Sequence, residues 1–103
     1  TGRSTLVNFL VDSGAYYCLL PRAAWRAIGL VPGRFQAFEL ADGSAFRRRM
    51  SECRLRIAGE EGPVPVILGE AGDEALLGCI ALENLFLILD PIRRRLQSVR
   101  MRL

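Results

Sequence analysis

The stretch FLVDSGAYYCLLP, Phe9 to Pro21, decides how the rest of the sequence is interpreted. It places one carboxylate, Asp12, and the turn residues Ser13 and Gly14 between two strongly apolar segments. Asp and Gly favour tight turns, so the stretch alone is typical of a hairpin loop. Exposed hairpin loops usually have more polar flanks, and we therefore expect this turn to be tucked into the core. A buried carboxylate is costly without partners, which makes Asp12 a candidate for general acid–base chemistry.

The composition indicates one folded domain and excludes several kinds of catalytic site. The 103 residues are 50% hydrophobic, which suffices for a single core and argues against disorder. Histidine is absent, which excludes Ser–His and Cys–His nucleophile pairs and His-ligated zinc. The first residue is Thr1 rather than Met, so we expect that a segment upstream of the domain, residues 1–103, is missing.

The cysteines and the hydropathy indicate the compartment. Cys18, Cys53 and Cys79 are far apart in the sequence and form no CxxC pair. We therefore predict small buried apolar residues in a reducing, cytoplasmic compartment, with neither a disulfide frame nor a metal site. The sequence has no run of about 18 apolar residues, so we expect no membrane span.

Arginine supplies all 14 positive charges, and two triplets stand out, Arg47–Arg49 and Arg93–Arg95. Successive residues of a strand alternate between its faces, so neither triplet forms one patch. Aromatic residues do not interleave with the triplets along the sequence, as a stacking platform for bases requires. We therefore predict solvated strands or turns and do not expect a nucleic-acid partner, with a basic patch as the alternative.

Short apolar segments separated by turns about every ten residues predict an all-β barrel or sandwich. Leu6–Val11 is a nearly continuous apolar run typical of a buried strand, and Asp-Gly within Ala41–Ser44 marks a hairpin turn. Two short helices are expected, one at 22–28 after Pro21 and one at 79–86. The other predicted strands are 16–20, 35–40, 45–57, 64–68, 87–90 and 96–103.

A second apolar motif lies far downstream, in ALLGCIALENLFLILDP from Ala75 to Pro91. The first motif runs apolar–apolar–Asp–Ser–Gly–Ala, the second runs apolar–apolar–Gly before a helix, and the hairpin LADGSAF lies between them. In this ordered set the sequence resembles the retropepsin-like aspartic proteases. VILGEAGDEALLG and LENLFLILDP look like small bacterial members of that family. The resemblance runs from Leu6 to about Leu96 and implies a single-domain, all-β, retropepsin-like acid-protease barrel.

The resemblance implies an aspartic endopeptidase that acts as a homodimer. Each chain would supply one Asp12, and the two carboxylates would meet across a two-fold axis and share one proton. Together they would activate a water molecule for attack on a peptide bond, and no metal or cofactor takes part. The expected partners are a second copy of the chain and a peptide or protein substrate.

The resemblance also gives roles to residues around Asp12. Ser13 would hydrogen-bond across the two-fold axis, and Gly14 would offer its backbone N–H to the carboxylates. Leu77 and Gly78 would pack behind the catalytic loop. The substrate-binding residues that it implies are Ala15, Leu40, Ala41, Asp42, Gly43 and Ile80.

The hairpin tip departs from the family pattern. Retroviral members have several glycines there, whereas this sequence has the single Gly43 beside a charged Asp42. A stiffer or more open tip leaves a second function possible, a non-catalytic dimeric peptide-binding module on the same fold. In the family that the sequence resembles, the chain termini interleave across the two-fold axis. The resemblance makes the alternating segment LQSVRMRL, Leu96–Leu103, a candidate for such a strand, and it implies that the N-terminal strand region of this domain is incomplete.

Overall fold

A computed structural model describes residues 2–12, 14–39 and 42–98. Across these residues the chain is an all-β single domain with two short helices, which confirms the predicted fold class. The elements in chain order are β1 Leu10–Val11, β2 Cys18–Leu20, α1 Arg22–Ala27, β3 Phe35–Glu39, β4 Ala45–Ile57, β5 Glu60–Leu68, β6 Leu76–Leu77, α2 Cys79–Asn84, β7 Leu87–Asp90 and β8 Arg95–Ser98.

Six of the strands form one sheet, which curls into a half-barrel in the order β1-β6-β2-β5-β4-β3. Strands β7 and β8 pair with each other as a separate hairpin. Strand β6 lies between β1 and β2, parallel to the first and antiparallel to the second. Because β1 and β2 follow one another in the chain, the loop that joins them must cross the end of β6. This crossing fixes the position of Asp12.

Strand β4 changes its surroundings halfway along. Its first half, Ala45–Arg49, pairs with β3, and its second half, Met50–Ile57, pairs with β5. The odd-numbered residues face solvent in the first half, whereas Cys53 and the residues after it on the same face cover the core. The β3–β4 hairpin therefore extends beyond the core as a two-stranded arm.

A large groove lies on a different part of the molecule from Asp12. It has a volume of about 1110 Å³ and lies between residues 2–7 and the second half of β4. Among the described residues, that half of β4 has a neighbouring strand on one side only. The walls of the groove are mostly apolar and include Val7, Phe9 and Leu55.

The core lies between the sheet and the two helices. Val64, Val66, Leu77 and Cys18 are almost completely inaccessible to solvent at its centre. Trp25 holds α1 against the sheet, because its ring packs on the core and its indole Nε1 donates to the Gly69 carbonyl at 2.9 Å. Each of the three cysteines is free, two of them buried as predicted and Cys79 half-buried.

Several predicted strands have different bounds in the structure, and two of them begin four residues away from the predicted start. Residues 6–9 are not a strand, because no neighbouring backbone pairs with them in the described chain, and Leu6 is fully exposed. Strand β5 begins at Glu60 rather than at residue 64. Its early start is possible because the preceding turn is only Ala58–Gly59, both with positive φ, a pair that suits a two-residue hairpin turn.

The prolines of β5 explain its position in the sheet. Pro63 and Pro65 cannot donate to a ladder, which predicts a sheet edge. The structure places both in β5 opposite β4, and β2 joins the other side of β5 only from Val66 onward. The prolines thus occupy the part of β5 that has one neighbour. The predicted C-terminal strand is described only to Ser98, so residues 99–103 lie outside the described chain.

Neither helix in the described ranges approaches the length that a bilayer crossing requires, since each has 6 residues.

The buried thiols make stability sensitive to alkaline pH. Burial, with smaller contributions from Cys18 and Glu52, raises the pKa of the Cys53 thiol from 9.0 to about 11. The unfolded chain therefore loses this proton first. The contribution of the Cys53 thiol to the free energy of unfolding is fully present below pH 9. It is lost as the pH rises from 9 to about 11, which lowers the free energy of unfolding by about 2 kcal/mol.

We expect urea unfolding of the wild type to show this loss between pH 8 and 11. A Cys53→Ala variant should be less stable at pH 8, because it leaves a small cavity, but should lose less stability as the pH rises. Lysine is absent from the sequence, which removes one class of competing alkaline titration. Parallel pH curves for the two proteins would show that the thiol does not carry the effect.

Candidate active site

Backbone groups fix both the main chain and the carboxylate of Asp12. Its N–H donates to the Leu77 carbonyl at 3.0 Å, which extends the β1–β6 ladder, and its carbonyl accepts from the Ala15 N–H at 3.1 Å. The Gly14 N–H donates to the carboxylate oxygen Oδ1 at 3.0 Å. A Cβ on Gly14 would lie 3.2 Å from that same oxygen, so the loop leaves little room for a larger residue.

The rest of the loop forms the cap of α2. The Ala15 carbonyl accepts from the Cys79 N–H at 2.8 Å, and the Tyr16 carbonyl accepts from the Ile80 N–H at 3.0 Å. These are the first amides of a helix that has no side-chain N-cap. Because the first amides of a helix have no partners within it, the loop carbonyls satisfy them.

Gly78 allows the loop to pass over the end of β6. A Cβ at this position would lie 2.5 Å from the Tyr17 carbonyl oxygen and 2.7 Å from that of Tyr16. Real Cβ atoms do not approach backbone oxygens so closely, so the crossing requires glycine. The two motifs that are far apart in the sequence, DSGA and LLG, are therefore parts of one structural unit.

Asp12 is exposed in the single chain, so the expected burial is wrong. Apolar flanks bury a turn only where they cover it from both sides. Strand β1 is instead at the edge of the sheet, and the flanking Leu10 and Tyr16 are 51% and 73% exposed. The second carboxylate oxygen accepts no hydrogen bond from any described residue. The loop therefore presents a fixed carboxylate at the surface, with exposed apolar side chains beside it.

Aromatic rings hold the β3–β4 arm against this loop. Phe38 meets Tyr17 edge to face, with ring centroids 5.8 Å apart, and stacks on Phe46 at 5.3 Å. On the same face of the arm, the Arg48 guanidinium lies over the Phe46 ring at 5.1 Å and 3.7 Å from the Glu70 carboxylate. One face of the arm is thus turned toward the loop that begins at Asp12.

These aromatic contacts cannot be predicted from the sequence. Alternation in FQAFEL does place Phe38 and Phe35 on opposite faces. It does not show which face meets the loop, because that depends on where β4 leaves the sheet.

The structure places the predicted substrate-binding residues in two regions. Ala15 and Ile80 are half-buried and belong to the loop and to the first turn of α2. Asp42 and Gly43 are exposed at the far tip of the arm, where Gly43 has a φ of 87°. The hydroxyl and N–H of Ser44 donate to the Asp42 carboxylate at 2.6 and 2.9 Å, and these bonds lower the pKa of Asp42. Ser13, Leu40 and Ala41 lie outside the described residues.

Within the described ranges, no cluster of three or more Cys, Asp or Glu side chains could hold a metal ion. No family model and no curated protein matches this sequence. The resemblance to retropepsin-like proteases therefore remains a prediction from the order of the motifs. The fold and the loop define an all-β domain that presents one backbone-held aspartate.

We expect Gly78→Ala to destabilise the protein by about 3 kcal/mol, because the new methyl group collides with two backbone oxygens that cannot move freely. Gly72→Ala is the matched control. Gly72 has a φ of 83° but open space around a Cβ, so only backbone strain of about 1 kcal/mol is expected. Urea unfolding of the two variants measures both values. Equal losses would mean that the crossing does not depend on glycine.

Proposed function

We propose that this protein is an aspartic endopeptidase, whose active site forms when two copies bring their Asp12 side chains together. The observation that carries the proposal is the state of that carboxylate. One oxygen accepts a hydrogen bond from the Gly14 N–H at 3.0 Å. The other oxygen has no partner among the described residues, and the group lies at the surface. The carboxylate is thus oriented before any ligand arrives, which is how catalytic groups reduce the cost of reorganisation.

Hydrolysis of a peptide bond needs an acid and a base, which one carboxylate cannot supply together. Two carboxylates a few Å apart cannot both ionise easily, so they hold one proton between them. The ionised Asp12 would take a proton from a water molecule, whose oxygen attacks the scissile carbonyl carbon. The protonated Asp12 of the other copy would donate a hydrogen bond to the carbonyl oxygen. The proton taken from water then passes to the leaving nitrogen as the C–N bond breaks.

The surroundings of Asp12 favour an isologous contact between two copies. Leu10 and Tyr16 expose apolar surface on either side of the loop. In a two-fold contact the same residues meet on both sides, so each apolar group could cover its counterpart. Such a contact would also remove the two carboxylates from bulk water, where electrostatic interactions are weak.

The arm supports a peptide as the substrate. Its loop-facing side carries Phe38 and Phe46, and the half-buried Leu19 and Leu76 pair across β2 and β6 at the base of the loop. These half-buried apolar side chains belong to the elements that flank the Asp12 loop. We therefore expect cleavage between residues with large apolar side chains.

Asp12→Asn should abolish peptide cleavage, by at least about a thousandfold, because the amide can neither accept the proton nor share one. The assay incubates wild type and variant with a mixed peptide library and identifies the cleaved bonds by mass spectrometry. Asp73→Asn is the matched control, because its carboxylate accepts a hydrogen bond from the Glu70 N–H in the β5–β6 loop and has no role in the proposed site. Its activity should equal that of the wild type.

Two outcomes would contradict the proposal. Unchanged cleavage by Asp12→Asn would exclude the mechanism. A wild type that retains peptides without cleaving them would instead support the dimeric peptide-binding module. The structural argument for that module is the single tip glycine, Gly43, and the Asp42 carboxylate, which already accepts hydrogen bonds from Ser44.

A further inference from the structure

The face of the arm that points away from the loop carries two arginines around one aromatic ring. In the β3–β4 register Phe35 lies opposite Arg49, and Ala37 lies opposite Arg47. The guanidinium carbons of Arg49 and Arg47 lie 4.2 and 4.9 Å from the centre of the Phe35 ring. We refer to Phe35, Arg47 and Arg49 as the Arg–Phe face.

This arrangement gives the first arginine triplet an aromatic partner, which the sequence pattern did not predict. The first arginine triplet does alternate, since Arg48 lies on the opposite face, over Phe46. The aromatic partner that was not found along the sequence comes instead from the neighbouring strand. Phe35 is 48% exposed, and both of its arginines are exposed.

The charges of the Arg–Phe face are not neutralised within the described chain. The ion pairs of the described residues involve other arginines. They are Arg48 with Glu70, Arg54 and Arg56 with Glu61, and Arg93 with Asp90. Arg49 donates from Nη1 to the Gly33 carbonyl at 2.9 Å, which orients the group but leaves its charge. Glu39 lies further along the same face, opposite Ala45, and makes no ion pair with either arginine.

The Phe35 ring holds both guanidinium groups in place before binding. A guanidinium over a ring contacts it with one face, so the N–H groups at its edge stay available. Holding the side chains also reduces the conformational entropy that a ligand would otherwise have to overcome. Two arginines at alternate positions of a strand lie roughly 7 Å apart, and alternate side chains of an extended peptide have the same spacing.

We propose that the Arg–Phe face binds an extended acidic segment of a partner protein, with carboxylates at alternate positions, as in Glu-x-Glu. Each carboxylate accepts hydrogen bonds from one guanidinium, for which the planar fork of arginine is well matched. This site lies on the opposite face of the arm from the proposed catalytic loop, so it does not depend on the proposed peptidase activity.

The structure favours an acidic peptide over a single-stranded nucleic acid. Binding of bases needs an aromatic face on which they can stack. The two guanidinium groups already lie over the Phe35 ring. Glu39 on the same face would also repel a continuous phosphate backbone, whereas a peptide can place a neutral residue beside it.

The test measures fluorescence anisotropy of a labelled ten-residue peptide with Glu at alternate positions, at low salt. The whole chain is used with Asp12→Asn, which prevents cleavage and leaves the Arg–Phe face intact. Arg47→Gln with Arg49→Gln should weaken binding about tenfold. The double variant Arg54→Gln with Arg56→Gln is the matched control. It removes the same charge, at the same spacing and on the same strand, but these two arginines already form ion pairs with Glu61. It should change the dissociation constant less than about threefold.

Other results of this experiment would overturn the proposal. Equal losses in the two double variants would show attraction to net charge rather than a site. No binding by the chain that retains both arginines, or equal binding of a peptide with Gln in place of Glu, would also reject it. Tighter binding of a ten-nucleotide oligo-dT that depends on Arg47 and Arg49 would assign the face to nucleic acid instead. Thermal unfolding of each variant confirms that it is folded.

Discussion

The structure depends on one constraint, the passage of the loop after Asp12 over the end of β6 at Gly78. Tyr17 and Tyr16 carbonyl oxygens lie where a side chain would have to be, so the two segments are in direct backbone contact. The same loop gives its carbonyls to the first amides of α2, and Asp12 gives its N–H to Leu77. Strand order, helix position and the orientation of the carboxylate are therefore set together. A change at the crossing would disturb the core and the candidate site at once.

Strand β4 connects this site to a second surface. Its second half packs on the core, and its first half leaves the core to form the arm. Because side chains alternate, one face of the arm meets Tyr17 through Phe38, and the other carries Arg47 and Arg49 around Phe35. The two proposed binding functions thus occupy opposite faces of the same two strands. Because the two faces carry different side chains, we expect variants of one face to leave the other in place, so that each can be tested alone.

Local chemistry in the sequence predicted the parts of the fold that depend on near neighbours. Asp42 and Gly43 mark the hairpin, Pro21 directly precedes α1, and the alternation of the first arginine triplet is correct. Features set by distant segments were missed. The Asp12 carboxylate is exposed because β1 is an edge strand, and residues 6–9 are unpaired because no described strand lies beside them. Which residues surround a loop or a ring depends on strand order, and periodicity within a segment does not determine that order.

The most direct test of the account is a mixing experiment between wild-type chains and the Asp12→Asn variant, at constant total concentration and with time for subunit exchange. If each active site needs one Asp12 from each of two chains, peptide cleavage should fall as the square of the wild-type fraction. An equal mixture should then retain about a quarter of the activity, since only dimers of two wild-type chains are active. An equal mixture that retains half would mean that each chain acts alone, which would contradict the shared site.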